Sequence, residues 1–150
     1  MNATANVPGD LVYMPPAGTV LKAGVGQTLS VTFTPTDTAN YTATTAMVSL
    51  NVMKAGLTVS GVTAANKVYD GTTVATMNTS GATLNGLLSI DTGSVSLIGT
   101  GTGSFTDRNV GTGKLVTITG LSITGTDAGN YTFNTTAATT AATLPTSTPV

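Results

Sequence analysis

Two short stretches of this chain gather the residue types that do chemistry. Gly111-Thr112-Gly113-Lys114 has the look of a phosphate loop, where backbone N–H groups cradle phosphate oxygens beside a lysine. That motif needs Gly five residues before its Gly-Lys pair and Ser or Thr after the Lys. Arg108 and Leu115 stand there instead, so the stretch reads as a glycine-rich hairpin loop. Asp107-Arg108-Asn109-Val110-Gly111 opens like a calcium loop but lacks the closing Glu. Asp107 and Asn109 therefore read as turn-forming side chains, as does Asp70 in Tyr69-Asp70-Gly71. A cation shared by Asp70 and Asp107 is the alternative weighed against that reading. An amide crosslink between a lysine and Asn or Asp needs an apolar pocket and a carboxyl to relay protons. Lys67 or Lys114 with Asn109 and Asp107 is the constellation to check, against the ordinary expectation of exposed lysines on strand edges.

The rest of the catalytic inventory is thin. The chain has no His, no Cys and no Glu, so proton shuttling and thiol chemistry are excluded and carboxylate work falls to six scattered aspartates. No catalytic, cofactor or metal residue is assigned, and the chain does not read as an enzyme. Five cations against six aspartates give a net charge of −1, with no basic patch to neutralise phosphates, so nucleic acid is not an expected partner. No apolar run approaches the length that spans a bilayer, and Met1 opens no signal peptide. The absence of Cys excludes disulfides.

The elements that position these residues are strands. Thr is the commonest residue, and Thr and Val favour strands while the many Gly favour turns. Leu29, Val31 and Phe33 alternate with Ser30, Thr32 and Thr34, and Ala46, Val48, Leu50 and Val52 continue the pattern. A parity change between Ala43 and Ala46 predicts a bulge. Leu57 with Val59, Val95 with Leu97 and Val116 with Ile118 give further strands, and Ala137 to Leu144 gives a weaker one that either closes the second sheet or leaves it. Turn signals fall at Pro8-Gly9, Pro15-Pro16, Asp70-Gly71, Asn85-Gly86 and Gly99–Gly103. Many short strands punctuated in this way predict an all-β fold of Ig-like Greek-key sandwich modules.

Two segments echo each other: Asp37-Thr38-Ala39-Asn40-Tyr41-Thr42 and Asp127-Ala128-Gly129-Asn130-Tyr131-Thr132. The spacing suits the corner between two strands of a sandwich, where the Tyr hydroxyl bonds to upstream backbone. Ala43 and Phe133 are the next positions expected inward. The reading is of two modules in tandem, residues 1–53 and 54–150, joined at Met53-Lys54-Ala55-Gly56 without a long linker and so sitting end to end. The first has four or five strand candidates where a complete sandwich needs about seven. It is therefore expected to lack its opening strands.

The motifs carry a resemblance. Pro15-Pro16-Ala17-Gly18-Thr19-Val20-Leu21, Gln27 to Pro35 and Asp37 to Tyr41 resemble the Ig-like repeats of very large bacterial surface proteins. Lys67-Val68-Tyr69-Asp70-Gly71-Thr72-Thr73, Asp107 to Gly111 and Gly125 to Tyr131 look like the YDG-type module of filamentous-haemagglutinin-like adhesins. The resemblance implies a non-catalytic spacer in a secreted or cell-surface protein, with neighbouring modules of the same protein as its partners. Two further expectations stand beside it. The incomplete first module, through an unpaired strand edge, forms a homo-oligomer or filament by strand addition. Alternatively, the loops Gly99–Gly103 and Asp107–Gly111 bind a glycan or protein ligand.

Overall fold

The computed structural model describes residues 2–134 and 137–144, and the chain is mostly β. It divides into two compact units, Met1–Lys54 and Ala55–Val150. No helix among the described residues is long and apolar enough to cross a membrane.

In the first unit, strands β1 (Gly9–Met14), β2 (Gly24–Pro35) and β3 (Thr44–Val52) form one antiparallel sheet in the order β1-β2-β3. Cross-strand rows set its two faces, because directly paired residues point to the same side. Leu11–Phe33–Thr44, Tyr13–Val31–Ala46 and Leu29–Val48 form a largely apolar face; Asp10–Thr34, Val12–Thr32–Thr45 and Met14–Ser30–Met47 form a mixed one. On the mixed face the Thr32 and Thr45 hydroxyls bond to each other at 2.9 Å. Among the described residues of this unit, only Pro35 is fully buried. The expected bulge between Ala43 and Ala46 does not occur. β3 begins at Thr44 and pairs without interruption from Phe33↔Thr44 to Gln27↔Leu50. The parity change marks the strand's start, and the register shift lies instead between Gly24 and Gln27 on β2.

Among its described residues, the second unit distributes eleven strands over four small sheets. β4 (Ala55–Ser60) starts it, followed by β5 (Thr63–Ala64), β6 (Val74–Ala75), β7 (Met77–Asn78) and β8 (Thr83–Asn85). Then come β9 (Ser96–Ile98), β10 (Thr102–Phe105), β11 (Gly111–Thr119), β12 (Ser122–Thr124), β13 (Tyr131–Phe133) and β14 (Ala137–Leu144). The sheets run β14-β11-β10-β6 and β13-β4-β8, with the pairs β12-β9 and β5-β7. The weak terminal strand thus closes onto β11.

Alternation explains which side chains the second unit buries. Val116 and Ile118 on β11 share a face with Phe105 on β10 and Ala75 on β6, and all four are buried. Phe105, Val116 and Ala75 form one apolar cluster; Ile118, Leu121 and Val62 form a second; Leu57, Val95 and Tyr131 form a third. Complete burial of a side chain of this size stabilises by about 1.5–3 kcal/mol. Gly103, read from sequence as part of a turn, sits inside β10 and is buried against Met77. The turn itself is confined to Gly99–Gly101, so the recognition loop expected over Gly99–Gly103 is shorter than its glycines imply.

Candidate functional site

The residues singled out for chemistry come together as two braced turns at one end of the β6–β10–β11 sheet. The segment before β6 lies beside the β10–β11 connection, because Phe105 N–H donates to Thr73 O at 2.8 Å. Within the first turn, Asp70 Oδ1 accepts the Thr72 backbone N–H and the Thr72 hydroxyl, each at 2.9 Å. Gly71 follows Asp70 with φ +79° and open space around it, so its requirement is conformational rather than steric. Lys67 spans the turn, its Nζ lying 2.7 Å from Asp70 Oδ1 and donating to Thr72 Oγ1 at 2.7 Å and Val74 O at 2.9 Å.

The second turn repeats the device. Asp107 Oδ1 accepts the Asn109 N–H at 2.8 Å. Lys114 Nζ ion-pairs with the same Asp107 oxygen and donates to Asn109 O at 2.7 Å. Both lysine side chains are largely buried, 16% exposed for Lys67 and 11% for Lys114, while their carboxylate partners stay about half exposed. The sequence expectation of exposed edge lysines is therefore corrected. Each ammonium also donates to backbone carbonyls, Thr72 O and Val74 O for Lys67 and Asn109 O for Lys114.

This arrangement fixes what the cluster can do. The Lys67 ammonium holds the Asp70 carboxyl at a pKa of about 2, helped by the Thr72 N–H and hydroxyl. Lys114 lowers Asp107 in the same way, aided by the Asn109 N–H. A cation shared by Asp70 and Asp107 would have to displace two ammonium groups. No group of three potential metal ligands occurs among the described residues. For the amide crosslink, Lys114 and Asp107 do meet, but Asn109 offers its backbone carbonyl rather than its side chain. An ionised, half-exposed carboxylate facing an ammonium is set for an ion pair, because acyl attack needs a neutral amine and a protonated acid. Gly111-Thr112-Gly113-Lys114 opens strand β11, with the register shifted between Gly111 and Lys114.

The two Asp-to-Tyr segments share a turn but not a corner. Asn40 Nδ2 donates to Asp37 Oδ2 at 2.7 Å, and Asn130 Nδ2 donates to Asp127 Oδ1 at 3.4 Å. After the second turn, Tyr131 is buried at 3% exposure. Its hydroxyl donates to Asp91 Oδ2 at 2.6 Å and accepts the Leu88 N–H at 3.2 Å. Burial first, and the Asp91 bond second, push the Tyr131 phenol above its usual pKa. Tyr41, expected in the same role, is 49% exposed, and its hydroxyl makes no hydrogen bond among the described residues. Ala43, expected inward, is exposed. The repeat encodes the Asp–Asn turn; burial of the ring depends on packing that Tyr131 finds against Leu57 and Val95 and that Tyr41 lacks.

A feature with no sequence signal joins the first strand of the second unit to one near its end. β13 pairs with β4 in parallel, Tyr131↔Ala55, Thr132↔Gly56 and Phe133↔Leu57. The Thr132 hydroxyl adds a 3.3 Å bond to Ala55 O.

The model of the YDG domain matches residues 53–141, over half of the chain. The chain belongs to the YDG domain family. No curated protein and no solved structure matches it. Both lysine-braced turns, the Tyr131 corner and the β4–β13 pair lie inside the matched stretch of the YDG domain. Its Tyr69-Asp70-Gly71 tripeptide is the first of those turns. Asp70 supplies the acceptor that closes it, and Gly71 supplies its left-handed residue.

Proposed function

We propose that this chain is a non-catalytic, load-bearing spacer of a large bacterial surface protein of the adhesin type, built from Ig-like modules in tandem and exposed outside the cell. The observation that carries the reading is the parallel β4–β13 pair. β4 begins the YDG unit and β13 lies near its end. Two parallel strands pulled from the start of one and the end of the other slide along their axes, so their ladder bonds are loaded together rather than one at a time. The aspartates support the same reading. Asp37, Asp70, Asp107 and Asp127 close turns and Asp91 anchors Tyr131, which leaves Asp10 on an exposed strand. Carboxylates committed to turns stiffen a scaffold.

The test is replacement. Within its parent protein, the chain is exchanged for an unrelated folded spacer of equal length. Adhesion and surface display that survive the exchange support the reading, and loss of adhesion with display intact refutes it. A second reading, ligand capture, is favoured by one observation: the braced turns present half-exposed Tyr69 and Val110 on rigid supports. Binding of the isolated chain to a glycan or matrix-protein array would support it, and an array without hits would end it.

A further inference from the structure

The first unit carries an Asp–Asn–Tyr turn whose aromatic ring its own fold does not use. Tyr131 is spent on the core of the second unit, but Tyr41 is 49% exposed and lines an open cleft of about 390 Å³ with Val7, Pro8, Thr36 and Asp37. That volume lies within the range of small-ligand sites. The cleft sits at the end of the sheet where β1 opens and β2 closes, and the Thr36 N–H donates to Pro8 O at 3.0 Å, which ties its two walls together. Asp37 is fixed but keeps spare capacity. Its Oδ1 accepts the Ala39 and Asn40 N–H groups at 3.1 and 3.2 Å, and its Oδ2 accepts Asn40 Nδ2 at 2.7 Å. An ionised carboxylate offers about four lone-pair sites, so Oδ2 retains one for a further donor. The Asn40 side chain, and then its N–H, hold this carboxyl below the usual range, so it is charged at neutral pH.

We propose that this cleft binds an arginine side chain presented by a peptide or protein partner, its guanidinium flat against the Tyr41 ring and one N–H on Asp37 Oδ2. Charge selects a cation. The charged side chains of Met1–Lys54 are segregated along the strands. Asp10 and Asp37 flank the Gly9–Pro35 end, whereas Lys22 and Lys54 flank the Gly24–Val52 end. The twelve residues of β2 separate the two ends by about 35 Å at the usual rise of a strand, several Debye lengths at physiological salt. Neither lysine therefore neutralises Asp37. The ring selects a guanidinium over an ammonium, because the planar, weakly hydrated guanidinium stacks on an aromatic face while the compact ammonium holds its water. A neutral sugar would use the ring but gain little from the uncompensated carboxylate. The cleft lies outside the stretch that matches the YDG domain, so it stands apart from the spacer role.

The test is two-dimensional amide NMR of the whole chain, titrated with N-acetyl-arginine amide. Saturable shifts confined to residues 7–9 and 36–42 are the expected result. The citrulline counterpart, which keeps the shape and loses the charge, binds more weakly, and so does the lysine counterpart. Tyr41→Leu weakens arginine binding about three- to fivefold, the loss of one exposed cation–π contact, while Tyr41→Phe keeps the ring and the affinity. Asp37→Asn retains an oxygen for the Ala39 and Asn40 N–H groups, removes the charge and weakens binding to a similar degree. Tyr69→Leu, at a ring 46% exposed on the second unit, leaves it unchanged. The amide spectrum of each variant reports whether it is folded, and the citrulline comparison on the unaltered chain needs no variant. Shifts that do not saturate, citrulline binding as tight as arginine, an unchanged affinity in folded Tyr41→Leu, or methyl glucoside moving the same signals at lower concentration would each overturn the proposal.

Discussion

Replacing Tyr131 by Phe removes one oxygen and leaves the ring in place. That oxygen donates to the Asp91 carboxylate at 2.6 Å and accepts the Leu88 N–H at 3.2 Å, beneath a ring only 3% exposed. Hydrogen bonds to charged groups contribute about 1.5–3 kcal/mol in general, more than neutral ones. Asp91 is only partly covered and Leu88 is exposed, so water takes up part of the loss and the lower end of that range applies. Each kcal/mol shifts the melting temperature of a domain of this size by about 4–8 °C. The Tyr131→Phe chain is therefore expected to melt about 6–12 °C lower, with the urea m-value unchanged, because no additional surface is exposed on unfolding. Tyr41→Phe, at a half-exposed ring with no such bond, is expected to shift melting by no more than a few degrees. Thermal and urea unfolding followed by circular dichroism measure both. A Tyr131→Phe shift no larger than that of Tyr41→Phe would refute the assignment of the second Asp-to-Tyr segment as a corner and the first as a plain turn.

The lysine braces give an acid signature. Asp70 folds with a pKa of about 2 against an ordinary 3.8, so the folded state holds fewer protons between those values; its contribution is complete above pH 3.8 and lost as pH falls through about 2. Lys67→Gln is expected to raise the Asp70 midpoint toward 3.8 by carboxyl NMR titration, and an unchanged midpoint would remove Lys67 as the cause. At Gly125, φ is +128° and an added Cβ would stand 1.9 Å from Ser94 O, whereas at Gly71 φ is +79° with nothing nearby. Gly125→Ala is thus expected to cost well over the roughly 1–2 kcal/mol of left-handed strain that Gly71→Ala carries, and equal losses by urea denaturation would contradict it. The intact mass of the chain is expected to equal that of its sequence, with Lys114 and Asp107 in an ion pair. A mass lower by one water, lost again in Lys114→Met, would show an amide bond instead.

Much of the framework was legible because long strands carry a period. Leu29-Val31-Phe33 and Ala46-Val48-Leu50 mark β2 and β3, and Val116-Ile118 marks the buried face of β11. Asp70-Gly71 was readable as a turn because an Asx side chain and a left-handed residue are local requirements. Strands of two or three residues such as β5, β6 and β7 have no period to read. The parallel partner of β4 lies more than seventy residues away in sequence and left no trace there. Lys67 and Lys114 misled because their burial follows from the curl of the turn, which sequence spacing does not reveal. Tyr41 misled for a related reason. Identical letters give the same Asp–Asn turn, but whether the ring is covered depends on packing elsewhere.

Under tension applied between them, the parallel strands β4 and β13 of the YDG unit are expected to slide rather than peel. Single-molecule stretching measures this directly, with the full chain held first at residues flanking Ala55 and Phe133 and then across β4 from Ala55 to Asn85. The first direction is expected to give one rupture at high force, with an extension set by about 3.5 Å per released residue, and the second to open at clearly lower force. Equal forces in the two directions, or early peeling of β13 in the first, would contradict the load-bearing claim.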